Sequence, residues 1–177
     1  MQVDVIPTVD VLKQEHVLSK TVIVIDSLRA TSSMLTALDQ GAERIIPVET
    51  IGQAKTLAER YPEALLAGER NAKKIGGFLL GNSPREWLEQ DLQGKTLILT
   101  TSNGTKALSK CQRGKKVYIG AFLNAKACAY LILKEGLDVL LVCSGRNQQF
   151  ALEDGLAAGH IITWLQEGCE SLVVDDL

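Results

Sequence analysis

Short apolar, β-branched runs alternate along the chain with segments in which apolar residues recur at helical spacing. Thr21–Ile25 reads TVIVI, which is typical of a strand covered on both faces. The same reasoning predicts strands at Arg44–Val48, Ala64–Ala67, Lys95–Leu99, Lys116–Ile119 and Asp138–Val142, with Ser171–Val174 as the start of one more. It predicts helices over 34–41, Gln53–Arg60, Thr105–Cys111, Ala125–Glu135 and from Leu152 to Gly168.

Strands and helices follow one another with short connections, and this order predicts an α/β fold with a mostly parallel sheet and helices on both faces. Pro47 places the Arg44–Val48 strand at a sheet edge or ends it there, because proline cannot donate to a ladder. Gly68–Pro84, rich in Gly, Asn and Lys, is predicted to be irregular. With 177 residues and no obvious linker, the chain is expected to form a single domain over 1–177.

Composition narrows the class of protein. The 19 Lys and Arg residues against 21 Asp and Glu give a net charge of −2, which weighs against nucleic-acid binding. No apolar run approaches the ~20 residues that span a bilayer, and the first residues do not read as a signal peptide. We therefore expect a cytoplasmic protein that binds neither nucleic acid nor membrane.

Several familiar chemistries are disfavoured by the absence of their motifs. The four cysteines form no C-x-x-C pair and no cluster with the two histidines, so neither a zinc site nor a redox pair is predicted. The chain has no G-x-x-x-x-G-K-[ST] loop and no strand-linked G-x-G-x-x-G, which argues against nucleotide hydrolysis and dinucleotide redox chemistry. It also has no G-x-S-x-G elbow and no D-x-D after the Thr21–Ile25 strand.

Polar, charged and glycine residues follow the predicted strands at one end of the sheet, whereas the opposite ends carry plain turns. Ligands of open parallel sheets bind beyond the carboxyl ends of the strands. The segments concerned are 26–31, 68–71, 100–105 and 143–146. This asymmetry predicts a binding site at that end.

Four acids stand at or near this end. Asp26 directly follows a strand, where it is either a helix cap or an oxygen ligand for Mg²⁺. Glu69 could supply a second ligand oxygen or form a surface ion pair of little consequence. Glu153 and Asp154 open the last helix, where acids complement the helix dipole; the alternative is a metal ligand or a general acid.

The segment Thr100–Thr105, TTSNGT, is the one best suited to phosphate. Gly104 lets the backbone approach an anion, and the following helix would direct free N–H groups at it. Thr101, Ser102 and Thr105 add hydroxyl donors. The alternative interpretation is an ordinary helix-capping turn.

Arginines follow three different strands, and together they suggest a strongly anionic small ligand, since a guanidinium suits phosphate, carboxylate or sulfonate. They are Arg29, Arg70 and Arg146. Cys143 stands near the last of them. Its thiol could be a nucleophile with a lowered pKa, but a small residue that lines the pocket is the preferred interpretation.

Six short motifs, in order, resemble those of the 2-phosphosulfolactate phosphatase family over about Thr21–His160. They are VIVIDSLRAT at 22–31, GER at 68–70, GNSP at 81–84, TTSNGT at 100–105, GAFLN at 120–124 and FALED at 150–154. The resemblance implies a Mg²⁺-dependent phosphatase with the family's own α/β fold, converting 2-phospho-3-sulfolactate to 3-sulfolactate on the route to coenzyme M. Family chains continue past the position of Leu177, so a C-terminal segment usual in the family is expected to be missing here.

We therefore expect hydrolysis of a small anionic phosphate ester; the alternative is a non-catalytic anion-binding or interaction protein that keeps the fold. Metal ligation is assigned to Asp26, Glu69 and Glu153, and catalysis to Asp26, Glu69, Cys143 and Asp154. Substrate contacts are assigned to Arg29, Thr31, Arg70, Ser102, Asn103, Gly104, Thr105 and Arg146, with Arg70 or Arg146 on the sulfonate. The resemblance to the family implies Asn82 as a further substrate contact. Attack by water, by a carboxylate or by Cys143 stays open, as does a homodimer.

Overall fold

The computed structural model describes residues 1–175. The strands are β1 (Gln2–Ile6), β2 (Thr21–Ile25), β3 (Arg44–Pro47), β4 (Leu65–Arg70), β5 (Lys73–Lys74), β6 (Thr96–Thr100), β7 (Lys116–Gly120), β8 (Val139–Cys143) and β9 (Val173–Val174). The helices are α1 (Gln14–Val17), α2 (Ala30–Asp39), α3 (Ile51–Arg60), α4 (Pro84–Leu88), α5 (Gly104–Cys111), α6 (Ala125–Glu135) and α7 (Leu152–Gly168).

The strands divide between two sheets. The first has the order β7-β2-β8-β1-β9, and all of its strand pairs are parallel. The second has the order β3-β6-β4-β5, with β5 antiparallel to β4. The α/β fold is confirmed, and β3 lies at a sheet edge as Pro47 predicted. The sequence pattern did not indicate the division into two sheets.

Helices cover both faces of each sheet. On the five-stranded sheet, α6 and α7 pack on one face, while α1 and α5 pack on the other. On the four-stranded sheet, α2 and α4 cover one face and α3 the other. Leu108 of α5 contacts the clusters of both sheets, and α2 packs against β7 as well as α4. Helices α2 and α5 therefore connect the two sheets.

The two central strands β2 and β8 are buried at every position, as the run TVIVI predicted for β2. Burying a Val, Leu or Ile side chain stabilises a fold by roughly 1.5–3 kcal/mol. These strands therefore give a rigid support to the residues that follow them. None of the helices within residues 1–175 combines the length and the apolar character that spanning a bilayer requires.

Two regions differ from the sequence pattern. The first predicted strand is preceded by β1, whose Asp4 carboxylate is paired with Lys20. Gly68–Pro84 is not irregular throughout, because β4 continues to Arg70 and α4 begins at Pro84. The extension of β4 matters for function, since it brings residues 68–70 into the sheet.

Gly68 of β4 pairs with Thr100 of β6. Gly68 has φ +152°, and a Cβ atom there would lie 2.1 Å from the carbonyl oxygen of Thr100. Only glycine combines this conformation with this approach. The contact sets the spacing between Glu69 and the segment that follows β6.

Gly68→Ala should therefore destabilise the protein by about 3 kcal/mol or more, since both backbone strain and overpacking oppose the new methyl group. The matched control is Gly159→Ala on α7, where a Cβ meets nothing within 4 Å. That control should raise stability by about 0.5–1 kcal/mol, as expected for glycine in a helix. The measurement is urea unfolding, and equal stability of Gly68→Ala and the parent would contradict the argument.

Candidate active site

A cavity of about 510 Å³ lies where the carboxyl ends of the two sheets meet. The segments after β2 and β8 form one part of its wall, and β4 with the segment after β6 forms another. Nine residues assigned from the sequence line it: Asp26, Arg29, Glu69, Asn82, Ser102, Asn103, Arg146, Glu153 and Asp154. The structure thus brings together residues that are up to 128 positions apart along the chain.

Three long helices begin at this cavity, namely α2, α5 and α7. Their N-cap residues are Arg29, Asn103 and Ala151, and none of these side chains accepts a capping hydrogen bond. A helix N-terminus carries partial positive charge. The three helix starts therefore favour an anion in the cavity.

Asp26 is buried between the first turns of α2 and α5. Its Oδ1 accepts the backbone N–H of Ala30 at 3.2 Å, and the backbone N–H groups of Arg29 and Gly104 lie near enough to the carboxylate to favour its charged form. A Cβ on Gly104 would lie 2.6 Å from Oδ2 of Asp26 and 2.5 Å from the Ala30 Cβ. Gly104 is required here for close packing against Asp26. The capping role of Asp26 is thus present in the structure, and its metal ligation stays a prediction.

The environment of Asp26 opposes its ionisation. Burial raises the pKa of this carboxyl, and the nearby charge of Glu69 raises it further, while the three backbone N–H groups act in the opposite direction. A cation bound in the cavity would favour the charged carboxylate and so lower the pKa of Asp26 again.

Asp154 ties together the segments that follow β2 and β8. Its Oδ1 accepts the N–H of Ser27 at 2.8 Å, and its Oδ2 accepts the N–H of Gly145 at 3.1 Å. Burial raises the pKa of Asp154 to about 7, and the charges of Asp26 and Glu153 add to the effect. Asp154 can therefore hold or release a proton near neutral pH.

Glu69 organises the opposite wall. Its Oε1 accepts the N–H of Ser102 at 2.7 Å, and its Oε2 accepts the N–H of Ala72 at 2.7 Å and the Ser102 hydroxyl at 3.2 Å. Asn71 and Ala72 form the tip of the β4–β5 hairpin, with φ of 54° and 62°. Both also line the cavity, and sequence reasoning missed this role because the hairpin was predicted as irregular. Glu69 thus fixes this tip against the segment after β6.

Asn82 places a buried amide in the cavity wall. Its Oδ1 has no hydrogen-bond partner among residues 1–175, although the residue is only 6% exposed. The adjacent loop is fixed, because Gly81 donates its N–H to Glu86 at 3.0 Å and accepts from Trp87 Nε1 at 3.2 Å. Buried polar atoms are nearly always satisfied, so Asn82 is suited to contact a ligand.

Two arginines line the cavity, Arg29 from the start of α2 and Arg146 from the segment after β8. Neither forms an ion pair within the described part of the chain. Arg70 does not line the cavity; its guanidinium is bonded to backbone and hydroxyl oxygens instead. Of the two arginines predicted for the sulfonate, only Arg146 is therefore placed beside the cavity.

The hydroxyls of Thr31 and Thr105 form hydrogen bonds within the protein. Thr31 Oγ1 donates to the carbonyl oxygen of Gly120 at 2.7 Å. Thr105 Oγ1 donates to the carbonyl oxygen of Thr101 at 3.0 Å and accepts the Thr101 N–H at 3.1 Å. Both residues are buried and shape the strand ends. Direct contact of either hydroxyl with a substrate stays a prediction that this geometry does not favour.

Cys143 is the last residue of β8 and is fully buried against α6 and α7. It is not part of the cavity lining. Burial raises the pKa of its thiol to about 12, with a further contribution from the charge of Asp154. A nucleophile reacts as the thiolate, which this environment suppresses.

The cavity is lined by carboxylate and amide oxygens, which are the type of ligand that Mg²⁺ prefers. Within residues 1–175, no three acids, cysteines or histidines stand close enough to hold one ion together. Mg²⁺ retains several waters and commonly takes only one or two carboxylates. One or two of Asp26, Glu69 and Glu153, which all line the cavity, could provide these carboxylates.

Comparison with known proteins relates the chain to one family. Residues 6–177 match the family model described as 2-phosphosulpholactate phosphatase. A protein named “Probable 2-phosphosulfolactate phosphatase” from Carboxydothermus hydrogenoformans is 47% identical over 167 residues, covering 94% of this chain and 68% of its own length. A protein of the same name from Clostridium botulinum strain Eklund 17B is 40% identical over 179 residues, covering 100% of this chain and 75% of its own length.

Brief alkylation of the native protein with iodoacetamide at pH 8 should label Cys169 and spare Cys143. The reason is that Cys169 is partly exposed, whereas the Cys143 thiol is buried with a raised pKa. Peptide mass mapping measures the labelled fraction at each site, and denatured protein serves as the control in which both react. Labelling of Cys143 as fast as Cys169 would restore it as a candidate nucleophile.

Proposed function

The chain belongs to the 2-phosphosulfolactate phosphatase family, and from this premise we propose that it hydrolyses 2-phospho-3-sulfolactate to 3-sulfolactate and phosphate with Mg²⁺. The observation that carries the proposal is the cavity in which three helix starts, and two arginines without an ion pair among residues 1–175, lie beside four carboxylates. Positive groups suit the anionic ends of such a substrate. The carboxylates suit a divalent cation, which would lie between them and the anionic substrate.

The positive end of α5 is the main phosphate-binding element in this proposal. The start of α5, with Ser102 and Asn103 beside it, is the contact we assign to the phosphoryl oxygens, together with Arg29. One or two of Asp26, Glu69 and Glu153 would hold Mg²⁺, whose charge would polarise the phosphoryl group and neutralise developing charge. Asn82 is assigned to the substrate because its amide is preset at the cavity wall.

Asp154 is the group we assign to proton transfer. Its pKa of about 7 leaves both protonation states populated near neutral pH, which suits a general acid for the departing alkoxide oxygen. Its carboxylate is held in place by two backbone N–H groups, so the proton is offered from a fixed position. With Cys143 in the core, the attacking group is water or a carboxylate.

The sulfonate is assigned to Arg146. Its guanidinium lines the cavity from the exposed segment after β8, on a different strand end from the proposed phosphate site. A planar guanidinium fork matches the geometry of oxyanions. Separate strand ends would thus hold the two anionic ends of one substrate.

A non-catalytic anion-binding protein would keep the helix starts and the arginines. It would have no need for Asp26, Glu69, Glu153 and Asp154 in one cavity, because these acids repel an anion unless a cation is present. The names of the relatives are those of an enzyme, which also favours catalysis. Cytoplasmic location, the coenzyme M route and a homodimer stay predictions.

Turnover of 2-phosphosulfolactate should vanish in excess chelator and return with Mg²⁺. Asp26→Asn should cost at least ~10²-fold in kcat, as losses of preorganised charged groups do. Asp39→Asn, at the exposed far end of the same helix α2, is the matched control and should leave the rate unchanged. Release of phosphate measures both effects. Full turnover in chelator would remove the metal from the proposal.

Arg146→Ala should reduce the preference for a sulfonated substrate by roughly 10- to 150-fold, since a hydrogen bond to a charged group contributes about 1.5–3 kcal/mol. The measurement is kcat/KM for 2-phosphosulfolactate against 2-phospholactate. Arg29→Ala should instead lower both substrates alike, and the exposed Arg113→Ala serves as the neutral control. An equal loss for both substrates in Arg146→Ala would move the sulfonate elsewhere.

A further inference from the structure

Arg70 is bound by three neutral oxygens of the protein. Its Nη1 donates to the carbonyl oxygen of Glu69 at 2.7 Å. Its Nη2 donates to the carbonyl oxygen of Glu49 at 2.9 Å and to Thr100 Oγ1 at 2.8 Å. No carboxylate forms an ion pair with it in the described part of the chain. The positively charged guanidinium is thus hydrogen-bonded only to uncharged oxygens among the described residues.

The three acceptors belong to the ends of three strands. Glu49 lies just past β3, Glu69 is in β4, and Thr100 is the last residue of β6. These are adjacent strands of the four-stranded sheet, in the order β3-β6-β4. One side chain therefore ties together the carboxyl ends of all its parallel strands.

The tied strand ends carry cavity residues. Glu69 turns its carboxylate to Ser102 and to the hairpin tip at Ala72, while Thr100 leads directly into the turn that starts α5. Arg70 is next to Glu69 in the strand, so its side chain points to the opposite side. Arg70 thus binds the backbone of β4 and the end of β6 from the side opposite to the Glu69 carboxylate, and these two strand ends carry Glu69 and the turn before α5.

We propose that Arg70 is a positioning residue for the candidate active site rather than a ligand for the sulfonate. This inference rests on the proposed function. Its guanidinium fixes the Glu69 carboxylate and the 100–105 turn relative to each other, and thereby fixes the backbone donors at the start of α5. Misplacement of reacting groups by about 1 Å, even from a distance, can cost 10²-fold in rate.

Arg70→Ala should lower kcat by about 10²-fold for 2-phosphosulfolactate and for 2-phospholactate alike, with KM held within about threefold. Added guanidinium ion should restore part of the rate. Arg70→Lys should recover less than the parent, because an ammonium cannot match three acceptors with a planar fork. The exposed Arg60→Ala on α3 is the matched control and should keep the parent kinetics.

Thr100→Val provides a milder variant if Arg70→Ala does not fold. It keeps the β-branched shape of a fully buried residue and removes one of the three acceptors. It should lower kcat by a smaller factor, and it should add nothing further in combination with Arg70→Ala. Full additivity of the two changes would contradict action through this contact.

Amide hydrogen exchange tests the proposal without any turnover. The N–H of Ser102, held by Glu69, should exchange at least about tenfold faster in Arg70→Ala and at the parent rate in Arg60→Ala. If the parent chain hydrolyses no phosphate ester, the proposed function fails while this result still decides the role of Arg70. Unchanged exchange, or a loss confined to the sulfonated substrate, would overturn the proposal.

Discussion

The burial of the Asp26 carboxylate between two helix starts is the interaction on which the rest of the site depends. Helix α2 follows β2 of one sheet, and α5 follows β6 of the other. Ala30 of α2 donates its N–H to this carboxylate and Gly104 of α5 packs directly against it, so the carboxylate fixes the distance between the sheets at their carboxyl ends. Gly104 has no room for a side chain there. The cavity lies between the segments that precede these two helices, after β2 and after β6.

The same arrangement creates an electrostatic conflict. Burial and mutual repulsion raise the pKa values of Asp26 and Asp154, because several acids face one cavity. Arg29 and Arg146 stand at that space without ion-pair partners among residues 1–175, so the protein does not neutralise the acids itself. Opposed charges kept close but unpaired are costly for folding and useful for binding. A ligand that brings a cation and an anion together would satisfy both sets.

Much of the fold and the rim of the site could be predicted, because both depend on short-range patterns. Continuous apolar runs gave the central strands, and the rule on carboxyl ends of parallel strands led to six of the nine cavity residues. Glu153 and Asp154 were found from their place at the start of the last helix, and Asn82 only from the family resemblance. The division into two sheets was not predictable in this way, since runs such as Arg44–Val48 and Lys116–Ile119 look alike whichever sheet they join. Strand β1 was missed because QVDVI interrupts its apolar positions with Asp4, whose charge is met by Lys20.

Which rim residues face the ligand depends on the phase of each strand, and this explains the remaining differences. Because side chains alternate, a residue's direction follows from where its strand truly ends. With β4 thought to end at Ala67, Glu69 and Arg70 were both placed on a loop and both assigned to the site. With β4 continuing to Arg70, alternation allows only one of the two to face the cavity. Cys143 follows the same rule: it is still within β8, in register with Ile25, and both side chains point into the core under α7.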